Sequence, residues 1–376
     1  MNRYLPLIFL FMGLFLLSVY YVGRRLYQTL RYFIPGLRRR SFIGGYFLLT
    51  LSFFAGRLAS PVFLQRFFAA LSAYWMGLFL YLFMMYILAD LTGGLYRLAR
   101  RSSSERTRGL RTIATFLAII LVIYGLWNAT RIVDITYDIP LDQSLDHDLT
   151  ISLIADLHLG DMGSEQRVEE IVERINQSSP DLVVIAGDIF SDNYHNVKDP
   201  DKLEALFQSI ESRYGVYAAL GNHDGGRTLP DMISFLERSD IHVLHEDYEV
   251  INDMFVLVGR LDGSPIGGYG DMERGSTEQL FQRVPDHLPI IVIEHTPVDL
   301  EAYNQRADVV LSGHTHRGQM FPANLVTKLI FTVDYGHYQE APNDPHIIVT
   351  QGAGTWMMPR RLGTNNEVVT IRLRGR

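Results

Sequence analysis

The chain has 376 residues, no cysteine and a formal net charge of -7 at pH 7; that length suggests two or three domains, and the missing cysteine excludes disulfides and thiolate metal sites. The charge is unevenly placed: residues 1–130 hold 15 Lys/Arg against two acids, Asp90 and Glu105 (+13), whereas residues 131–376 hold 19 basic against 39 acidic groups (-20). The acidic second half should repel nucleic acid and anionic bilayer surfaces.

In chain order, Leu5 to Val22 is an unbroken apolar stretch of membrane-spanning length. It is not a secretory signal: little charge precedes it, Arg24 and Arg25 follow it, and no small-residue cleavage site is present. Phe42 to Ser60 is a second, diluted span containing Gly44, Gly45 and Arg57. Phe67 to Ala89 and Ile113 to Trp127 complete a count of about four, the last anchored by Tyr124 and Trp127. The connections after the first and third spans are Arg-rich (Arg24, Arg25, Arg31, Arg38, Arg39, Arg40; Arg97, Arg100, Arg101, Arg106, Arg108, Arg111), whereas the one between the second and third has only Arg57 and Arg66. The positive-inside rule puts both Arg-rich connections in the cytoplasm and everything after Trp127 on the extracytoplasmic side. No span carries an ionisable residue at its centre, so residues 1–130 are expected to be an anchor rather than a transporter.

Residues 131–376 have a different rhythm. Arg131 to Leu141 alternates apolar and polar as a strand does, and a second strand runs into Asp156. Ser164 is placed to cap a helix carrying Val168, Ile171, Val172 and Ile175 at helical spacing. Pro180 ends it, a strand leads to Asp188, and Asp199-Pro200 opens a helix with Leu203, Leu206, Phe207 and Ile210 on one face. After the strand to Asn222, a helix carries Ile233 and Leu236, and short strands follow at His242–Leu244 and Phe255–Gly259. Ser276 and Gln279 form a capping-box pattern. Strands leading to His295 and His314, then Ile347–Thr350 and Val368–Leu373, close the chain. Such strand–helix alternation predicts crossover-connected α/β layers. The stretch Pro322 to Pro345 is expected to be a long loop over the site, of the kind that forms lids.

Five apolar strands each end in a metal-competent residue. LTISLIADLHLG ends in Asp156 and His158, LVVIAGD in Asp188, VYAALGNHD in Asn222, His223 and Asp224, IIVIEHTP in His295, and VVLSGHTH in His314 and His316. On extended backbone, residues i and i+2 face the same way, so Asp156 and His158 should face one spot. In open α/β sheets ligands bind at the carboxyl ends of the strands, where these residues would converge.

Taken in order, D-L-H (156–158), G-D (187–188), G-N-H-D (221–224), H (295) and G-H-T-H (313–316) resemble the calcineurin-like metallophosphoesterase family, from about Thr150 to Leu373. The tail G-A-G-T…R-R-L-G…N-E-V-V-T-I-R-L is similar to a branch whose members are often membrane-tethered or exported. The resemblance implies a four-layer αββα sandwich of two facing mixed sheets; the apolar spans set residues 1–130 apart as a membrane anchor, which leaves 131–376 as the catalytic domain. It implies one metal on Asp156, His158 and His316, a second on Asn222, His295 and His314, and Asp188 bridging both. Mixed nitrogen and oxygen ligands suit Mn, Fe, Zn or Co. Two such ions would activate a bridging water for in-line attack on a phosphoester or pyrophosphate. His223 would serve the leaving oxygen or the transition-state charge, with Asp224 orienting it. Arg317 departs from the branch pattern, which has glycine there; two readings stand, a grip on a phosphate oxygen beside the metals or a side chain pointing into solvent. His195, His242, His245, His287, His337 and His346 match no ligand, although His337 lies in the expected loop and could touch substrate.

The leading expectation is a membrane-anchored binuclear-metal phosphoesterase acting on a lipid-linked or envelope substrate. The alternatives are a non-catalytic membrane receptor or binding module that keeps the fold, and an enzyme for soluble phosphodiesters. A binding module would predict missing ligands, and none of the seven is missing. An apolar path from the metals toward the bilayer would favour lipid.

Overall fold

A computed structural model describes residues 5–58, 62–99, 104–143, 145–160 and 165–375. The chain forms two compact units, one of Met1–Leu126 with Met357–Pro359, the other of Trp127–Trp356 with Arg360–Arg376.

The first unit is helical: α1 Leu5–Phe33, α2 Arg39–Leu58, α3 Val62–Leu98 and α4 Ser104–Asn128. Among the described residues three stretches, Leu5–Phe33, Phe67–Leu98 and Arg108–Asn128, are long and apolar enough to cross a membrane. α2, the expected second and diluted span with Gly44 and Gly45 within it, is also a helix. It runs back along α1. Tyr27 of α1 packs on Phe42 with ring centroids 5.2 Å apart, and Tyr46 donates to the Val19 carbonyl at 2.7 Å. At one end Asp90 of α3 accepts from Arg25 and Tyr21 of α1, each at 2.7 Å, and from Arg111 of α4 at 3.1 Å. This network puts the two Arg-rich connections at the same end of the helical unit.

The second unit begins with β1 Ile132–Pro140 and β2 Leu149–Ile154, then α5 Glu165–Ser178, β3 Leu182–Ala186, α6 Pro200–Gln208, β4 Val216–Ala219, α7 Leu229–Arg238 and β5 Ile241–Val243. It continues with β6 Asp247–Ile251, β7 Phe255–Gly259, α8 Thr277–Phe281, β8 Ile290–Ile293, β9 Val309–Ser312, α9 Ala323–Ile330, β10 Gly336–Tyr338, β11 His346–Val349 and β12 Asn366–Arg374. One sheet has the order β1-β12-β2-β3-β4-β5, the other β10-β11-β9-β8-β7-β6. Both are mixed: β12 runs antiparallel to β2, and β6 and β10 run antiparallel to their neighbours, while the central strands are parallel.

The layers follow from the period-2 alternation of the strands. In β3, Leu182, Val184 and Ala186 point between the sheets, into a core shared with Leu257, Ile293, Leu311 and Val369. Val183 and Ile185 point the other way, against Val168, Ile171 and Ile175 of α5 and Phe207 of α6. The far side of the second sheet packs Val256, Val258 and Val310 against Leu280 of α8 and Leu300. The result is helices, sheet, sheet, helices, as the resemblance implied. Each such buried aliphatic side chain contributes about 1.5–3 kcal/mol by leaving water.

Most expected helices form where capping and spacing put them. Asp199 caps α6 by accepting from the Lys202 amide at 3.2 Å, and Ser276 caps α8 through the Gln279 amide. Ser164, the expected cap of α5, lies outside the described residues. The stretch from Pro322 to Pro345 corrects expectation, for it holds α9 and the strand β10. Leu325, Val326, Leu329 and Ile330 recur at helical spacing there, but on a face turned to solvent. His337 belongs to β10, pairing through its Nε2 with Nδ1 of His346 at 2.9 Å.

Candidate metal centre

Every expected ligand stands just past the end of a strand. Asp156 and His158 follow β2, Asp188 follows β3, Asn222 follows β4, His295 follows β8, and His314 and His316 follow β9. The expectation of extended backbone at Asp156 and His158 is corrected: their φ angles are 55° and 48°. Asp188, His314, His316 and Arg317 also adopt left-handed backbone. Such non-glycine conformations cost on the order of 1–3 kcal/mol each and gather where side chains must be aimed. The chain leaves the sheet at each strand end and turns its polar side chain inward, while Leu157 and Leu159 stay in the core.

Two glycines let the strand ends close on one another. A Cβ on Gly187, whose φ is 77°, would meet His295 Nδ1 at 2.6 Å and Gly221 Cα at 2.7 Å. A Cβ on Gly221 would meet the Asp188 amide nitrogen at 2.2 Å.

The side chains gather in two clusters. In one, Asp156, His158 and His316 bring ligand atoms within 4.8 Å of one another; in the other, Asp188, His295 and His314 do the same. Asn222 joins the second, its Oδ1 lying 2.9 Å from His314 Nδ1 and 3.2 Å from His295 Nε2. Asp188 faces both: Oδ1 is 3.3 Å from His295 Nε2, and Oδ2 is 3.8 Å from His158 Nε2. Within the first cluster His158 and His316 hold their Nε2 atoms 3.0 Å apart, and His316 Nε2 lies 3.4 Å from Asp156 Oδ1.

Burial sets the protonation of these groups. Removal from water pushes His158 down to about 3 and His314 to about 4, and holds His316 well below the usual histidine range. They are neutral imidazoles with lone pairs to offer. Burial also opposes charge on His295, but the adjacent Asp188 outweighs it and raises His295 well above its usual value. Burial likewise raises Asp156 to about 7, against the pull of His295. For Asp188 the burial penalty is overcome by His295 and its neighbours, which hold the carboxyl below its usual range.

These residues fit a cation. His158 Nδ1 is buried without a hydrogen-bond partner, and the Nε2 atoms of His158 and His316 meet at 3.0 Å, where at most one of them carries a proton. His295 Nδ1 donates to the Ala186 carbonyl at 2.7 Å, so it is Nε2 that faces Asp188 and Asn222. A backbone partner of this kind is how metal-binding histidines are oriented. Carboxylates, imidazoles and an amide oxygen are the donor set of Mn, Fe, Zn or Co.

His223 stands beside the first cluster, its ring 5.2 Å from that of His158 and 5.8 Å from Trp356. The expected orienting role of Asp224 is corrected. Its buried carboxylate is taken up by three backbone amides, those of Gly221, Phe190 and Ile189, at 2.8, 2.8 and 3.2 Å. Asp192 instead accepts from His223 Nδ1. Burial opposes a charge on His223, and the Asp192 hydrogen bond together with the Asp188 and Asp192 charges outweighs it, raising its pKa. Asp192 escaped the sequence reading because it lies in the loop after the G-D pair, in no strand-end pattern.

Arg361 is the second residue whose place was not foreseen, although it belongs to the R-R-L-G stretch. It is fully buried and donates to the His316 carbonyl at 3.2 Å, the Gln351 carbonyl at 2.7 Å and Asn366 Oδ1 at 2.9 Å. It thereby fixes the backbone that presents His316. Arg317 lays its guanidinium 4.5 Å from the centre of the Tyr335 ring. Phe331, at the end of α9, packs its ring 5.9 Å from that of His314.

Comparisons with known proteins agree with this geometry. The family model for the calcineurin-like phosphoesterases matches residues 149–318. An "Uncharacterized metallophosphoesterase" of Aquifex aeolicus is 31% identical over 234 residues, covering 61% of this chain and 86% of that protein. One of Helicobacter pylori is 29% identical over 235 residues, or 61% of this chain, and the chain spans 60% of that relative's length. A "Transmembrane protein with metallophosphoesterase domain" of Danio rerio is 29% identical over 279 residues, covering 70% of this chain and 62% of that protein.

Proposed function

The chain belongs to the calcineurin-like metallophosphoesterases, and from that membership we propose that it hydrolyses a phosphomonoester, phosphodiester or pyrophosphate at the membrane, with a lipid-linked substrate favoured. The observation that carries this reading is Asp188, whose two oxygens face the two ligand clusters. In the proposed site Asp156, His158 and His316 hold one divalent ion, Asn222, His295 and His314 hold a second, and Asp188 is shared. Bound there, the ions supply the Lewis acidity and the activated water that phosphoester hydrolysis needs at neutral pH.

The protein groups do the rest. His223, whose charged form Asp192 favours, is the proposed proton donor to the leaving oxygen. Arg317 is the proposed phosphate grip, a planar donor fork that can leave the Tyr335 ring for a phosphate oxygen. Asp224, through its three amide contacts, positions the loop that carries Asn222 and His223. Arg361 positions His316.

The lipid preference rests on the rim. Phe331 and Trp356 line the approach to His314 and His223. Next to Phe331, α9 exposes Leu329 at 86% and Ile330 at 68% of their full area. An amphipathic helix with its apolar face outward suits the plane of a bilayer interface, and the membrane-spanning helices keep a bilayer close.

The test is hydrolysis of bis-p-nitrophenyl phosphate by the full chain in detergent, with and without Mn²⁺, alongside its metal content. Metal-dependent turnover is expected. A chain that binds no metal would return the fold to a binding module.

A further inference from the structure

The helical unit contains a second site, independent of the metal centre. A cavity of about 1650 Å³ opens between α1 and α2 and extends to the ends of α3 and α4. It exceeds the roughly 300–1,000 Å³ of clefts for small polar ligands and drugs. One part of its lining is apolar, with Leu16, Phe47 and Leu51; another carries Arg24, Arg31, Arg39, Arg97 and Arg108.

Asp90 is taken up by Arg25, Arg111 and Tyr21. The other acid of residues 1–130 is Glu105. Among the described residues Arg24, Arg31 and Arg39 have no carboxylate partner. A guanidinium's planar donor fork matches a phosphate. A cavity that is apolar in one part and cationic in another calls for an amphiphile with an anionic head. Basic pockets between membrane helices at the cytoplasmic end are where acidic lipid head groups bind, and the positive-inside rule assigns this Arg-rich end to the cytoplasm.

We propose that this cavity holds one phospholipid with a net anionic head group, its phosphate gripped by Arg24, Arg31 and Arg39 and its acyl chains lying along Leu16, Phe47 and Leu51. The lipid completes the packing between α1 and α2.

The probe is lipid retained by the full chain. Protein reconstituted in equimolar phosphatidylglycerol and phosphatidylcholine is returned to detergent, and bound lipid is counted by native mass spectrometry. Phosphatidylglycerol should be retained in preference to phosphatidylcholine, and Arg24→Gln, Arg31→Gln and Arg39→Gln should each weaken its retention about fivefold, the effect of roughly 1 kcal/mol per basic side chain. Arg38→Gln with Arg40→Gln removes two charges from residues that do not line the cavity and should leave retention unchanged. Leu51→Trp fills the apolar wall without altering charge and should also lower retention. Equal retention of both lipids would overturn the proposal. So would an equal loss in the Arg38/Arg40 variant, which would mean general surface attraction.

Discussion

Asp192 accepts a hydrogen bond from Nδ1 of His223, which fixes the imidazole with its other nitrogen free and favours its charged form. If His223 is the proton donor, the two act as one unit. His223→Ala should lower kcat on bis-p-nitrophenyl phosphate by roughly 10²–10⁴-fold, the usual worth of a positioned acid. Asp192→Asn keeps the shape and removes the charge, and should cost about tenfold, or ~1.4 kcal/mol of barrier. Both variants should retain their metal, measured by elemental analysis. Loss of metal in His223→Ala would make His223 a ligand instead.

Asp224 predicts a different outcome. Its carboxylate accepts three backbone amides and is fully buried, and hydrogen bonds to a charged group are each worth about 1.5–3 kcal/mol. Asp224→Ala should therefore lower the melting temperature of the domain and reduce soluble yield, whereas Asp192→Asn should not. A thermally stable Asp224→Ala chain with lost turnover would put Asp224 in the chemistry.

The two-cluster arrangement predicts an asymmetry in metal content. Asp188 is shared, so Asp188→Asn should strip both ions and abolish turnover. His316→Ala, in the cluster with Asp156 and His158, should remove one ion and leave the other held by Asn222, His295 and His314. His314→Ala should do the converse. Loss of both ions from either histidine variant would mean that neither half-site holds metal alone.

The ligands were legible because each lies at the end of an apolar run, and hydrophobic patterning locates strand ends well. The layers were legible for the same reason: Val183 and Val184 are both apolar, as a strand buried on two faces requires. Three features were not legible. The left-handed backbone at Asp156 and His158 depends on how the loop after β2 meets Gly187 and the β3 loop, which is a tertiary matter. The pairing of His223 with Asp192 joins residues 31 apart in the chain that share no local pattern. In α9 the apolar spacing was present, but Pro322 and the aromatics around it masked it as loop.

The side of the membrane is a further expected outcome. Asp90 ties Arg25 and Arg111 together, so both Arg-rich connections share one end of the helical unit, and α4 leads away from that end. With that end cytoplasmic by the positive-inside rule, alkaline phosphatase fused after Arg376 should be active and a fluorescent protein fused there should be dark. The reverse pattern would put the metal centre in the cytoplasm and remove envelope substrates from consideration.

The exposed face of α9 gives the sharpest test of substrate class. Leu325, Val326, Leu329 and Ile330 are all more than half exposed, and each such side chain gains about 1.5–3 kcal/mol if it leaves water for the bilayer interface. The acidic domain around them offers no charge attraction to anionic lipid, so this face would have to act through apolar burial. Leu329→Glu with Ile330→Glu removes the two most exposed of these side chains without touching a ligand. If the helix brings the metal centre to lipid-borne phosphate, the double variant should keep its turnover of bis-p-nitrophenyl phosphate while losing at least tenfold on a lipid phosphate presented in phosphatidylcholine vesicles. Equal turnover of the vesicle substrate by both chains would separate α9 from substrate delivery and favour a soluble phosphodiester. A parallel loss on both substrates would instead show that α9 supports His314 through Phe331, and the Phe331→Leu variant, which thins that contact while leaving the exposed face intact, should then reproduce it.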